Sequence, residues 1–126
     1  LVLIAVILVG YLNKGKQNND SKKIKIQNSE EVISVRVREE TEGGYVYYKT
    51  EDKELIEKVI NALDNIKIEE KTDISFSDNG KTYILELADG TTQEYNFQGS
   101  YYCKDKINYK ISNYKELNKI EIPKEN

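Results

Sequence analysis

Apolar and polar residues alternate with two different periods along this chain, and the changes of period mark out its elements. Over residues 31–39, Ile33, Val35 and Val37 alternate with Ser34, Arg36 and Arg38, the period of a strand with one face against a core. Glu42-Gly43-Gly44 predicts a turn, and 45–49 returns as the second strand of a hairpin. The period then lengthens. Leu55, Ile56, Val59, Ile60 and Leu63 share one side of a helix predicted over 51–65, with Thr50 as N-cap and Glu51, Asp52 and Glu54 in the first turn, where the helix dipole favours them.

Beyond the helix the short period resumes. Residues 66–70 and 74–76 are short strand candidates, while Tyr83, Leu85 and Leu87 alternate with polar neighbours. Asn79-Gly80 and Asp89-Gly90 supply the positive backbone angles of tight turns, so 81–87 should pair with 91–98. A further hairpin is predicted from 101–103 through Lys104-Asp105-Lys106 to 107–111. Asn113 and Glu116 read as a capping pair for a short helix through Ile120, and Pro123 as the end of the ordered chain. These elements predict an α+β fold, an antiparallel β-meander sheet packed on one main helix with a short C-terminal helix.

The first ten residues, LVLIAVILVG, form an unbroken apolar run continued by Tyr11 and Leu12. As a helix, residues 1–12 would span only about 18 Å, against a hydrocarbon layer of roughly 30 Å. The run is therefore expected to be the C-terminal part of a signal anchor or signal peptide, an N-terminal membrane-anchor remnant whose start lies upstream. No cysteine follows Gly10 and no A-x-A-like site precedes it, which favours retention as an anchor over lipidation or cleavage. Residues 13–28, with five lysines against Asp20, read as a polar tether, and 29–126 as a domain that folds without it. The expected location is the cell membrane, single-pass, with the C-terminal domain outside the cytoplasm, or secretion if the run is cleaved.

The Ile33-x-Val35-x-Val37 strand, the acidic start leading into Leu55-Ile56-x-x-Val59-Ile60-x-x-Leu63, the Leu87-Ala88-Asp89-Gly90 turn, and Ile107-Asn108-Tyr109-Lys110-Ile111 followed by Leu117 together span most of 31–120. This pattern resembles small exported or membrane-anchored α+β proteins of uncharacterised function from low-GC Gram-positive bacteria. The resemblance implies export and a fold. It carries over no functional residue.

Composition narrows the chemistry. Residues 29–126 hold fourteen Lys or Arg against twenty-one Asp or Glu, a net of −7, which opposes binding to nucleic acid. The chain has no histidine, so neither a Ser-His-Asp triad nor a Cys-His dyad can form within it, and the common zinc sites lack a ligand type. Cys103, the one cysteine, is expected to be a buried packing residue. The carboxylates nearest one another in sequence, Asp73 with Asp78 and Glu69 with Glu70, would be the pair for a carboxylate-dependent hydrolase, but adjacent acids in so charged a chain read as a solvated face. Residues 73–80 break the EF-hand spacing, and Gly43-Gly44 lacks the Gly-Lys-Ser/Thr of a phosphate loop. No cofactor and no catalytic residue is predicted.

What remains is tyrosine, ten residues of it. On the 45–49 strand, alternation sets Tyr45 and Tyr47 against Val46 and Tyr48, and a single helix can cover one of those faces. Tyr45 and Tyr47 are the predicted binding residues, exposed aromatic groups for an envelope protein, peptide or glycan. The reading is thus a membrane-tethered, non-catalytic binding or regulatory module, with a structural accessory subunit of an envelope complex as the alternative.

Overall fold

The computed structural model describes residues 23–73 and 80–125. A short 3-10 turn, Ser29–Glu31, leads into β1 (Val32–Thr41) and β2 (Gly44–Thr50). The helix α1 (Lys53–Asp64) follows, then β3 (Lys67–Thr72), β4 (Lys81–Leu87), β5 (Thr92–Gln98), β6 (Tyr101–Lys104), β7 (Ile107–Ser112) and the one-turn helix α2 (Lys115–Asn118). The expected strand at 74–76 aside, every predicted element of the domain is present; that segment, the apolar run of 1–12 expected as a membrane-anchor remnant, and the tether up to residue 22 lie outside the described residues. No helix among the described residues is long and apolar enough to cross a membrane.

All seven strands form one antiparallel sheet in the order β2-β1-β4-β5-β6-β7-β3. Strands β4 to β7 are the expected meander. The position of β3 was not predictable from local pattern: α1 carries the chain from β2 at one edge to β3 at the other, and β4 returns to the middle beside β1. The fold is α+β, with one main helix and one short one against a single sheet.

Helix α1 buries Ile56, Val59, Ile60, Ala62 and Leu63, against Val35 and Val37 of β1, Tyr83, Leu85 and Leu87 of β4, and Phe97, Tyr102 and Ile111 further along the sheet. Leu63, Ile66, Leu85, Val35 and Val59 are its fully buried centre. Tyr83, Phe97 and Tyr102 continue the core as an aromatic ladder, with ring centroids 5.9 and 5.3 Å apart, in the range of favourable ring pairing. Burial pushes the Tyr83 and Tyr102 phenols up to about 12, with the Glu39 carboxylate adding to the effect at Tyr83.

Five expectations are corrected. Ile33 is not a core residue: a β-bulge between Val32 and Ser34 inserts it as the unpaired extra residue, so Val32 turns inward and Ile33 stands 54% exposed. The N-cap of α1 is Asp52, whose carboxylate accepts from the Leu55 N–H at 3.1 Å; Thr50 instead accepts from Asp52 N–H. Helix α2 starts without a side-chain cap: its N-cap position falls on Tyr114, and Asn113, one residue earlier, lies in the left-handed region at φ 62°. The segment 23–28, expected as spacer, delivers Ile24 into the core at 4% exposure, with Ile26 packed beside it and the Ile26 N–H donating to Asp64 Oδ1 at 3.2 Å. Finally, order does not stop at Pro123, since the following residues pair with β2.

Candidate functional site

Alternation along seven antiparallel strands assigns every other residue to the side away from α1. One register row crosses the whole sheet there: Tyr47 opposite Arg38, then Thr82, Asn96, Cys103, Asn108 and Thr72. None of the seven is aliphatic. A sheet face with a helix over it would fill these places with apolar side chains, and the opposite face does, with aliphatic and aromatic residues.

The middle of the row is hydrogen-bonded across three strands. Arg38 Nη2 donates to Thr82 Oγ1 at 3.4 Å, and Thr82 Oγ1 donates to Asn96 Oδ1 at 2.6 Å. Thr82 is buried, and this chain satisfies its hydroxyl as burial requires. Asn96 is exposed, so its amide N–H groups remain available to a ligand.

Tyr45 and Tyr47, the predicted binding pair, lie on this face with ring centroids 6.4 Å apart. Tyr48 turns to the other side and packs against the core. Tyr45 is 57% exposed, one of two large apolar side chains that stand out from the described surface, while Tyr47 is half-buried. Each ring carries a guanidinium: Arg36 lies 4.5 Å from the Tyr47 centroid and Arg38 5.4 Å from that of Tyr45. Such stacking holds flexible arginines in place with their remaining donors outward. Beside them the face has a depression of about 410 Å³, lined by Arg38, Glu40, Tyr45, Thr82, Asn96 and Tyr101 among others. Glu40 is the lone carboxylate among its described lining residues.

Cys103 is half-buried and belongs to this row, with Tyr102 taking the core position. The expectation of a buried thiol was wrong by one residue of strand phase. Of the acidic pairs, Glu69 and Glu70 are exposed on edge strand β3, where Glu69 is the extra residue of a second bulge and accepts from the Ser112 hydroxyl. Asp73 is exposed, and Asp78 lies outside the described residues. Arg38, Thr82 and Asn96 escaped sequence reading. Each occupies an unremarkable polar slot of an alternating strand, and only the cross-strand register brings them together.

The fold thus defines an α+β domain with a seven-stranded antiparallel sheet, one face covered and the other polar and aromatic. No family model matches the chain, and no curated protein or solved structure matches it.

Proposed function

We propose that this domain is a non-catalytic binding module that holds an envelope glycan on the uncovered face of its sheet, displayed outside the membrane by the N-terminal apolar segment. The observation that carries the reading is the row Tyr47, Arg38, Thr82 and Asn96 beside the exposed Tyr45 ring. A saccharide ring has an apolar C–H face and a rim of hydroxyls. Tyr45 offers a flat surface to the first, and Arg38 and Asn96 offer donors to the second. Rigid aromatic side chains lose little conformational entropy when a ligand immobilises them.

Among the described lining residues Glu40 is the single carboxylate, which supports binding over the paired acid–base chemistry of a hydrolase. An accessory-subunit role calls for a broad apolar patch, whereas the large exposed apolar side chains among the described residues are Ile33 and Tyr45. The apolar run 1–12 supports tethering to a membrane, and the lysines that follow can rest against anionic head groups.

Calorimetric titration of the chain with soluble fragments of cell-wall glycan tests the reading. Tyr45→Ala/Tyr47→Ala is expected to weaken binding at least tenfold while the unfolding midpoint moves little, because both rings stand outside the core. Equal affinity of the double variant, or no binding by the natural chain, would overturn it.

A further inference from the structure

The edge of β2 is occupied by the chain's own C-terminal segment. The Lys49 N–H donates to the Pro123 carbonyl at 2.9 Å and the Glu125 N–H donates to the Tyr47 carbonyl at 2.8 Å, so that Lys124 bridges antiparallel to Tyr48. Register then fixes the sides. Glu125 lies on the side of Tyr47, and Ile122 lies on the helix side, partly buried against the core. Arg36 reaches across β2 from β1, passes over the Tyr47 ring and meets Glu125 Oε2 at 3.0 Å.

A tail of this kind blunts a sheet edge against unwanted pairing, and that alone would explain two backbone hydrogen bonds. It does not explain the recognition. Arg36 is held over an aromatic ring with its fork directed at the carboxylate of the added strand, an arrangement that selects for an acid at one register position. We propose that β2 is a strand-acceptor edge for an extended peptide from a partner protein, with an apolar residue three positions before an acid, and that residues 122–125 occupy it as an internal mimic.

The tail is a weak incumbent. Its ion pair is a surface one, with the two side chains 38% and 32% exposed, and such pairs contribute little. Strand addition of this type draws affinity from main-chain hydrogen bonds and specificity from alternate side-chain pockets, here the Ile122 position and Arg36. The inference goes beyond the glycan reading and does not depend on it: the Tyr47 ring borders both sites, but the edge binds through the β2 backbone and Arg36, and the face through Tyr45, Arg38 and Asn96.

The test uses the full chain and a fluorescent synthetic peptide with the sequence of residues 120–126. Glu125→Lys should unseat the tail by facing Arg36 with a second cation. That variant is expected to bind the peptide at least tenfold tighter than the natural chain by fluorescence anisotropy. Hydrogen exchange at the Lys49 amide should speed up in the variant and slow again when peptide is added. In Arg36→Glu/Glu125→Lys the reversed ion pair reseats the tail, and peptide binding should fall back at least tenfold. Asn96→Ala, on the uncovered face, should leave peptide binding unchanged. The proposal fails if Glu125→Lys binds the peptide no better than the natural chain or if Lys49 exchange ignores both changes. Loss of peptide binding in Asn96→Ala would place the peptide on the face instead of the edge, and overturn it as well. Concentration-dependent dimers of the natural chain that the peptide dissolves would make a second copy's tail the occupant, in place of a foreign strand.

Discussion

Ile24→Ala is the substitution that best separates a spacer from a structural segment at the N-terminal side of this domain. Charge pattern assigns residues 13–28 to a solvated tether, yet Ile24 is 4% exposed and belongs to the same core cluster as Leu63 and Ile66. Lys23 bridges Lys67 at the start of β3, and the Ile24 N–H donates to the Ile66 carbonyl at 3.3 Å. Truncation to alanine removes three carbons. At about 0.8 kcal/mol each the transfer loss is roughly 2.4 kcal/mol. A segment held by so few backbone bonds can settle inward, so the added cavity cost should be small and the total should stay near the low end of the roughly 2–5 kcal/mol range for such changes. With a urea dependence of about 1–3 kcal/mol per molar for a small domain, the midpoint should fall by about 1–2 M. Equilibrium unfolding in urea followed by far-ultraviolet circular dichroism reads this directly, with Lys25→Ala as the exposed neighbour that should change stability by less than about 0.5 kcal/mol. A shift in Ile24→Ala no larger than that of Lys25→Ala would refute the argument and return residues 23–28 to the tether.

Three further outcomes follow from the same geometry. Ile60→Ala on the buried stripe of α1 should cost about 2–4 kcal/mol, and a calorimetric melt within about half a kilocalorie of the natural chain would remove α1 from the core. The β6–β7 turn holds Asp105 at φ 51° and Lys106 at φ 66°, where a side chain is strained, so Lys106→Gly should stabilise by about 0.5–1 kcal/mol after the added entropy of the unfolded chain, and a lower melting temperature would contradict it. Because the folded state holds the Tyr83 and Tyr102 protons more tightly than the unfolded state, stability is intact below about pH 10 and declines as pH rises toward about 12. Tyr83→Phe removes one of those ionisations and should shift alkaline unfolding to higher pH; an unchanged alkaline midpoint would show that Tyr83 is not what titrates.

The periods along the chain were sufficient for the helix, the hairpins and the α+β class. Each of those depends on contacts between residues close in sequence: the stripe from Ile56 to Leu63 has helical spacing wherever it packs, and Asp89-Gly90 turns the chain whatever lies beyond it. The alternation of β2 likewise set Tyr45 and Tyr47 apart from Val46 and Tyr48, though it left open which pair met the helix. Tertiary structure decided that, because only the packing of α1 against the β1 and β4 side of the sheet brings Tyr48 to the core and leaves Tyr45 exposed. It also decided what local pattern could not carry. The bulge that expels Ile33 reflects the match of β1 to β4, and the burial of Ile24 reflects the docking of its segment on Asp64, Ile66 and Lys67, about forty residues on. The polar row from Tyr47 to Thr72 draws one residue from each of seven strands, and the tail on β2 joins positions about 75 residues apart. Such contacts are properties of register between distant strands, where a shift of one residue exchanges the two faces, and no single strand records which register its neighbours will choose.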